Sequence, residues 1–156
     1  MKSGFRILIT LFLFLIVSSQ AYAGVVTSCG GSRGYAYFFS GGLVPSDQEG
    51  WQSDKISKGG IIFTMDGEKA DIIMRDALDR TKSVKEDGAI VEVLHVNPSA
   101  GLLKRTILIM VYYPAGALEH YLFQLDKMGV GTVVWGTAKA AGPIITNKLM
   151  VADCKK

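Results

Sequence analysis

Gly30-Gly31-Ser32-Arg33-Gly34 satisfies the spacing of a serine-hydrolase nucleophile elbow, in which a strained turn between a strand and a helix presents the hydroxyl. That geometry needs a helix after the serine, whereas here the segment runs into Tyr35-Ala36-Tyr37-Phe38-Phe39, a run of strand character. The glycines therefore read as linker. His95 and His120, the only histidines, have the chemistry of a general base or a metal ligand. They stand alone on separate predicted strands, with no His-x-His spacing, and read as polar residues within a packed sheet. His95 shares a face with Ala89, Val91 and Val93; His120 shares one with Leu118, Leu122 and Gln124. Asp66, Glu68, Asp71, Asp76 and Asp79 form an acidic series without the oxygen order of a calcium loop, and Asp66-Gly67 is hairpin-turn chemistry by itself. Gly129, Gly131 and Gly136 flank an apolar strand and open no helix, which argues against a dinucleotide cradle. Neither a metal site nor a cofactor is predicted.

The connection 40–58 has the strongest claim on a ligand. Nineteen residues exceed the usual loop of a compact domain, and such loops often bind or cover something. Asp47, Glu49, Trp51 and Asp54 lie within it, so carboxylates and an aromatic face are available to a sugar, a cation or a peptide. The competing role for Trp51 is structural: it folds down and plugs one end of the domain.

These residues need a scaffold, and the hydrophobic pattern supplies a β one. With 156 residues, 49% of them apolar, 20% charged and a net charge of +3, the chain has enough to bury and folds as one domain. Short β-rich runs at 35–39, 60–65, 70–76, 89–96, 104–113, 118–125, 130–137 and 148–153 alternate with Gly, Asp, Asn and Pro turns. A weaker extended stretch covers 80–84, and 71–79 is also compatible with a helix. Ser46-Asp47-Gln48-Glu49 has capping-box spacing for one helical turn. The fold class expected is therefore all-β: an eight-stranded antiparallel up-and-down meander, forming a closed or flattened barrel, with a β-sandwich as the alternative. Residues 106–113 are apolar at odd and even positions alike, so that strand calls for cover on both faces.

Residues 1–23 read as a cleaved signal peptide, leaving 24–156 as a single β domain. Lys2 and Arg6 precede 7–17, an eleven-residue stretch apolar but for Thr10, and Ala21-Tyr22-Ala23 is a signal-peptidase pattern. Eleven helical residues fall short of the ~20 needed to span a bilayer, so no transmembrane segment is expected in the mature chain. Cleavage removes two of the 17 basic residues and leaves 15 against 14 acidic ones, near +1. That balance argues against a nucleic-acid partner, whose phosphates demand a concentrated positive surface. Export to the periplasm or the extracellular medium makes Cys29 and Cys154 a disulfide pair. In an even-stranded meander the first and last strands run antiparallel, so this bond would fasten the seam of a closed barrel. A lipid anchor at Cys29 is the rival reading, since Val26-Thr27-Ser28-Cys29 loosely matches a lipobox.

A small exported β-barrel with a terminal disulfide resembles, in architecture, the periplasmic lysozyme inhibitors. Their Ser-Gly-x-x-Tyr segment has no match at Ser32-Arg33-Gly34-Tyr35, and Glu49-Gly50-Trp51 lacks the Gly-x-Trp spacing of lipocalins, so no residue carries over. The expectation is a non-enzymatic binding module for a protein or a small molecule, possessing an inhibitor-like architecture and using Trp51, Asp47, Glu49 and Asp54. The alternatives are a small hydrolase using His95 or His120 with a loop carboxylate, or Ser32 as nucleophile, and a structural or assembly protein of the cell envelope.

Overall fold

A computed structural model describes residues 24–97 and 104–156; the predicted leader lies outside the described residues. The strands are β1 Gly24–Cys29, β2 Ser32–Phe38, β3 Gly50–Ile56, β4 Gly60–Asp66, β5 Lys69–Arg75, β6 Thr81–Ser83, β7 Ile90–Asn97, β8 Arg105–Tyr113, β9 Ala117–Leu125, β10 Gly131–Lys139 and β11 Thr146–Lys155. Every pairing is antiparallel, in the order β6-β5-β4-β1-β11-β10-β9-β8-β7, with β2 between β11 and β3. The described residues are all-β as expected, but they form eleven strands where eight were predicted. β3 is the instructive omission. Its sequence Gly-Trp-Gln-Ser-Asp-Lys-Ile lacks a strand's apolar alternation because it pairs with β2 alone, as an edge that needs no second apolar face. The long connection thus shortens to 39–49, which holds a 3-10 turn over Ser46–Gln48. Pro45, with no side-chain bond, stands at its cap in place of Ser46.

β1 and β2 run on in one direction along β11, as β3 and β4 do along them, and both paths bend together between Cys29 and Ser32. Gly31 is required at that bend, because a Cβ there would stand 2.4 Å from the Ile56 carbonyl oxygen. Cys29 lies directly opposite Cys154 and is bonded to it, as expected. β1, however, is a strand the sequence reading lacked and stands inside the sheet between β4 and β11, so the bond joins two parts of one sheet and does not fasten the seam of a closed eight-stranded meander. That bond occupies the sulfur that a thioether lipid would need.

Closure differs from expectation. The sheet curls into a half-barrel with no backbone ladder joining β6 to β7. β6 pairs with β5 over three residues, after which Ser83 accepts the Lys85 N–H and starts a 3-10 helix, Val84–Asp87. The chain leaves the sheet there, and Val84 is buried in the core. The described strands all belong to one curled sheet, which is not the two-sheet sandwich given as the alternative.

The core fills the concave side. Phe63 stacks on Phe123 at 5.0 Å between centroids, Phe123 lies 6.3 Å from Tyr121, and Tyr121 lies 6.1 Å from Trp135. These rings come from β4, β9 and β10, one strand parity each. β8 shows how far its two-faced sequence is satisfied: Ile107, Ile109 and Val111 are fully buried, whereas Leu108, Met110 and Tyr112 remain partly or largely exposed on the convex side.

Candidate functional site

The predicted ligand residues divide between the two faces of the β2–β3 hairpin. Trp51 points outward, 66% exposed, and stands edge-on to Tyr37 at 5.5 Å. It plugs nothing. Tyr37 lies opposite Trp51 in the ladder, packs against Phe39 at 4.8 Å and donates its hydroxyl to Glu49 Oε1 at 3.4 Å. Tyr35, two residues along the same face, is 61% exposed. Strand period places Tyr35, Tyr37 and Phe39 on one face, so they form a row with Trp51 beside it. Asp47 is exposed in the 3-10 turn. Asp54 has the opposite parity and faces inward, where Lys148 Nζ bonds its carboxylate at 2.7 Å.

The hairpin is held stiffly. Phe39 N–H donates to the Ile145 carbonyl, Leu43 N–H to that of Pro143, and the Thr146 hydroxyl to that of Tyr37.

The catalytic candidates take other roles. Ser32 is buried in β2, and its hydroxyl accepts the Trp135 indole N–H at 3.0 Å; no helix follows it. His95 is exposed, contrary to expectation, because a register shift between Val93 and His95 turns it off the Val91 face. His120 lies outward over Gly136, its ring filling the space a side chain at 136 would take. Asp76 is a turn residue: it accepts from Leu78 N–H and Arg80 N–H and pairs with the Arg80 guanidinium, which holds its carboxyl below the ordinary range. Among the described residues no acidic, histidine or cysteine cluster is arranged to hold a metal.

A second constellation escaped the sequence. At one end of the concave side lies a cleft of about 520 Å³, lined among others by Phe38, Tyr113, Glu119, Lys139, Ile144 and Lys148. Glu119 Oε2 accepts the hydroxyls of Tyr121 at 2.6 Å and Tyr113 at 3.0 Å. Burial pushes the Glu119 carboxyl above its ordinary value, outweighing the two phenol hydrogen bonds that favour its ionised form. Burial, then the charge of Glu119, raises both tyrosine hydroxyls. The available signal was parity: Glu119 shares its strand face with Tyr121, Phe123 and Leu125, so a carboxylate stands on an otherwise apolar stripe.

A carboxyl raised in the folded state binds its proton more tightly than in the unfolded chain. Its contribution to stability is thus present at low pH and is lost as pH rises from the ordinary 4.5 through the folded value. Relative to the parent, Glu119→Gln is expected to flatten the decline in melting temperature across that window, as read by melts between about pH 4 and 8. Parallel profiles for the two proteins would refute the assignment.

Comparison with protein-family models, with curated proteins and with solved structures gives no match in any of the three.

Proposed function

We propose that the protein is an exported, non-enzymatic binding module that receives a protein or small-molecule partner on the outer face of the β2–β3 hairpin. The observation that carries this reading is Trp51, two-thirds exposed on a hairpin tied to the sheet rather than on a mobile loop. A large indole left in water at a rigid position gains by stacking on a partner without much further ordering cost. Among ligand classes a glycan chain fits this face closely: flat rings for the C–H faces of the sugars, with Glu49 and Asp47 nearby for their hydroxyls. Export is supported by the Cys29–Cys154 bond, which persists in oxidising compartments. Among the described residues no helix is long and apolar enough to cross a membrane.

Titration with cellohexaose, followed by tryptophan fluorescence, is expected to saturate for the parent and to weaken by about tenfold or more in Trp51→Ala, a loss of about 1.4 kcal/mol. The variant should keep the parent's melting temperature. Loss of the fold in the variant would instead restore the plug.

A specific observation also favours the assembly reading. Leu149, opposite Tyr35, and Val134 on the next strand but one are exposed on the convex side beside the hairpin's aromatic row, and Ile90 and Tyr112 are exposed further along the sheet. A patch of that kind commonly marks an interface. Gel filtration of the mature chain separates the two: a stable dimer or larger species supports assembly through this face, and a monomer supports the binding module.

A further inference from the structure

The concave cleft carries an arrangement that the hairpin does not need. Glu119 on β9 and Lys139 on β10 both line it, and the register Glu119–Thr137 and Ala117–Lys139 makes them diagonal neighbours on one sheet face. Such neighbours have Cβ atoms roughly 7–8 Å apart, within reach of two long side chains. They nevertheless form no ion pair: among the described residues Lys139 has no acidic partner, and Glu119 receives only phenol hydroxyls, both on Oε2. The cleft's other lysine is already neutralised, since Lys148 bonds Asp54 while lying over the Phe38 ring. One unpaired acceptor oxygen, one unpaired ammonium and an apolar wall of Phe38 and Ile144 thus share a cavity whose volume falls within the range of small-molecule sites.

We infer that this cleft binds a small zwitterion with an apolar body, of amino-acid to dipeptide size, whose ammonium meets Glu119 Oε1 and whose carboxylate meets Lys139 Nζ. The complementarity is charge-specific at both ends. A ligand ammonium gains a charge-assisted hydrogen bond to an oxygen with no protein donor, while the two phenols hold the carboxylate in place. Lys139, at an exposed position, is free to follow the length of the ligand. The site lies on the side of the sheet opposite Trp51, so occupancy of one face is independent of the other.

The test uses the mature chain and three probes of equal length: 6-aminohexanoate, hexanoate and hexylamine, titrated by NMR up to about 10 mM. The zwitterion is expected to bind at least about tenfold more tightly than either single-charge analogue. Glu119→Gln should weaken 6-aminohexanoate and hexylamine but not hexanoate, and Lys139→Met should weaken 6-aminohexanoate and hexanoate but not hexylamine. Near-UV circular dichroism of both variants checks that the fold is retained, and glutamine keeps an acceptor for the two phenols. Equal affinity for the three probes, no shifts at the highest concentration, or binding of 6-aminohexanoate unaltered in both folded variants would each overturn the proposal.

Discussion

Removing the cross-link in C29A/C154A is expected to cost about 5 kcal/mol of stability, the chain-entropy value for a loop of this length, since the bonded residues lie 125 apart in sequence. That is comparable with the whole margin of a small domain. The topology adds a more particular expectation. β1 meets β11 through only two residue pairs, Ser28–Lys155 and Cys29–Cys154, yet this contact is where the β4-β5-β6 wing joins the β7–β11 meander in the sheet order. Without the bond, that joint depends on a very short ladder and on core contacts such as Phe63 against Phe123. Hydrogen exchange should therefore show amides of β4 and β5 losing protection before those of β9 and β10. Urea unfolding of the double variant reads the total; a midpoint equal to the parent's, or uniform loss of protection across all strands, would contradict this account.

Trp135→Ala is expected to destabilise by about 3–5 kcal/mol, whereas Trp51→Ala, away from any packed core, should stay within about 0.5 kcal/mol. Trp135 is 4% exposed, lies beside Tyr121 and donates its indole N–H to the buried Ser32 hydroxyl. Truncation removes the packing and also leaves Ser32 without that donor, a second cost because the hydroxyl has little access to water. Trp135→Phe separates the contributions: it restores much of the volume and leaves the hydroxyl's loss. Chemical denaturation of the three variants provides the measurement. A Trp51 variant as unstable as the Trp135 variant would place the structural tryptophan on the hairpin and remove the main support for a binding surface there.

The two tryptophans show why sequence reading reached the fold class more readily than the site. Trp51 lies in a polar stretch that resembles a loop and so attracted both a ligand role and a plug role. Trp135 lies in an apolar strand, where its parity shows only that it faces the same way as Val133. Which side of the sheet is covered is a property of its curvature. Asp54 was singled out together with Trp51, yet the intervening backbone puts the two on opposite faces, and its partner Lys148 lies 94 residues away. The Glu119 cluster was harder to anticipate because Tyr113 and Tyr121 reach it from two strands, and neither carries a recognisable motif.

Local pattern determined what local physics controls: extended strands from β-rich runs, the turn at Asp66-Gly67, and the pairing of Cys29 with Cys154. The tertiary structure decided what depends on residues far apart. Three short or polar strands exist because neighbours supply their backbone partners; the half-barrel stays open because the chain leaves the sheet after β6 to bury Val84. Glu119, Lys139 and Lys148 share one cleft for the same reason, since strand register and sheet curvature, rather than nearness in sequence, bring side chains together.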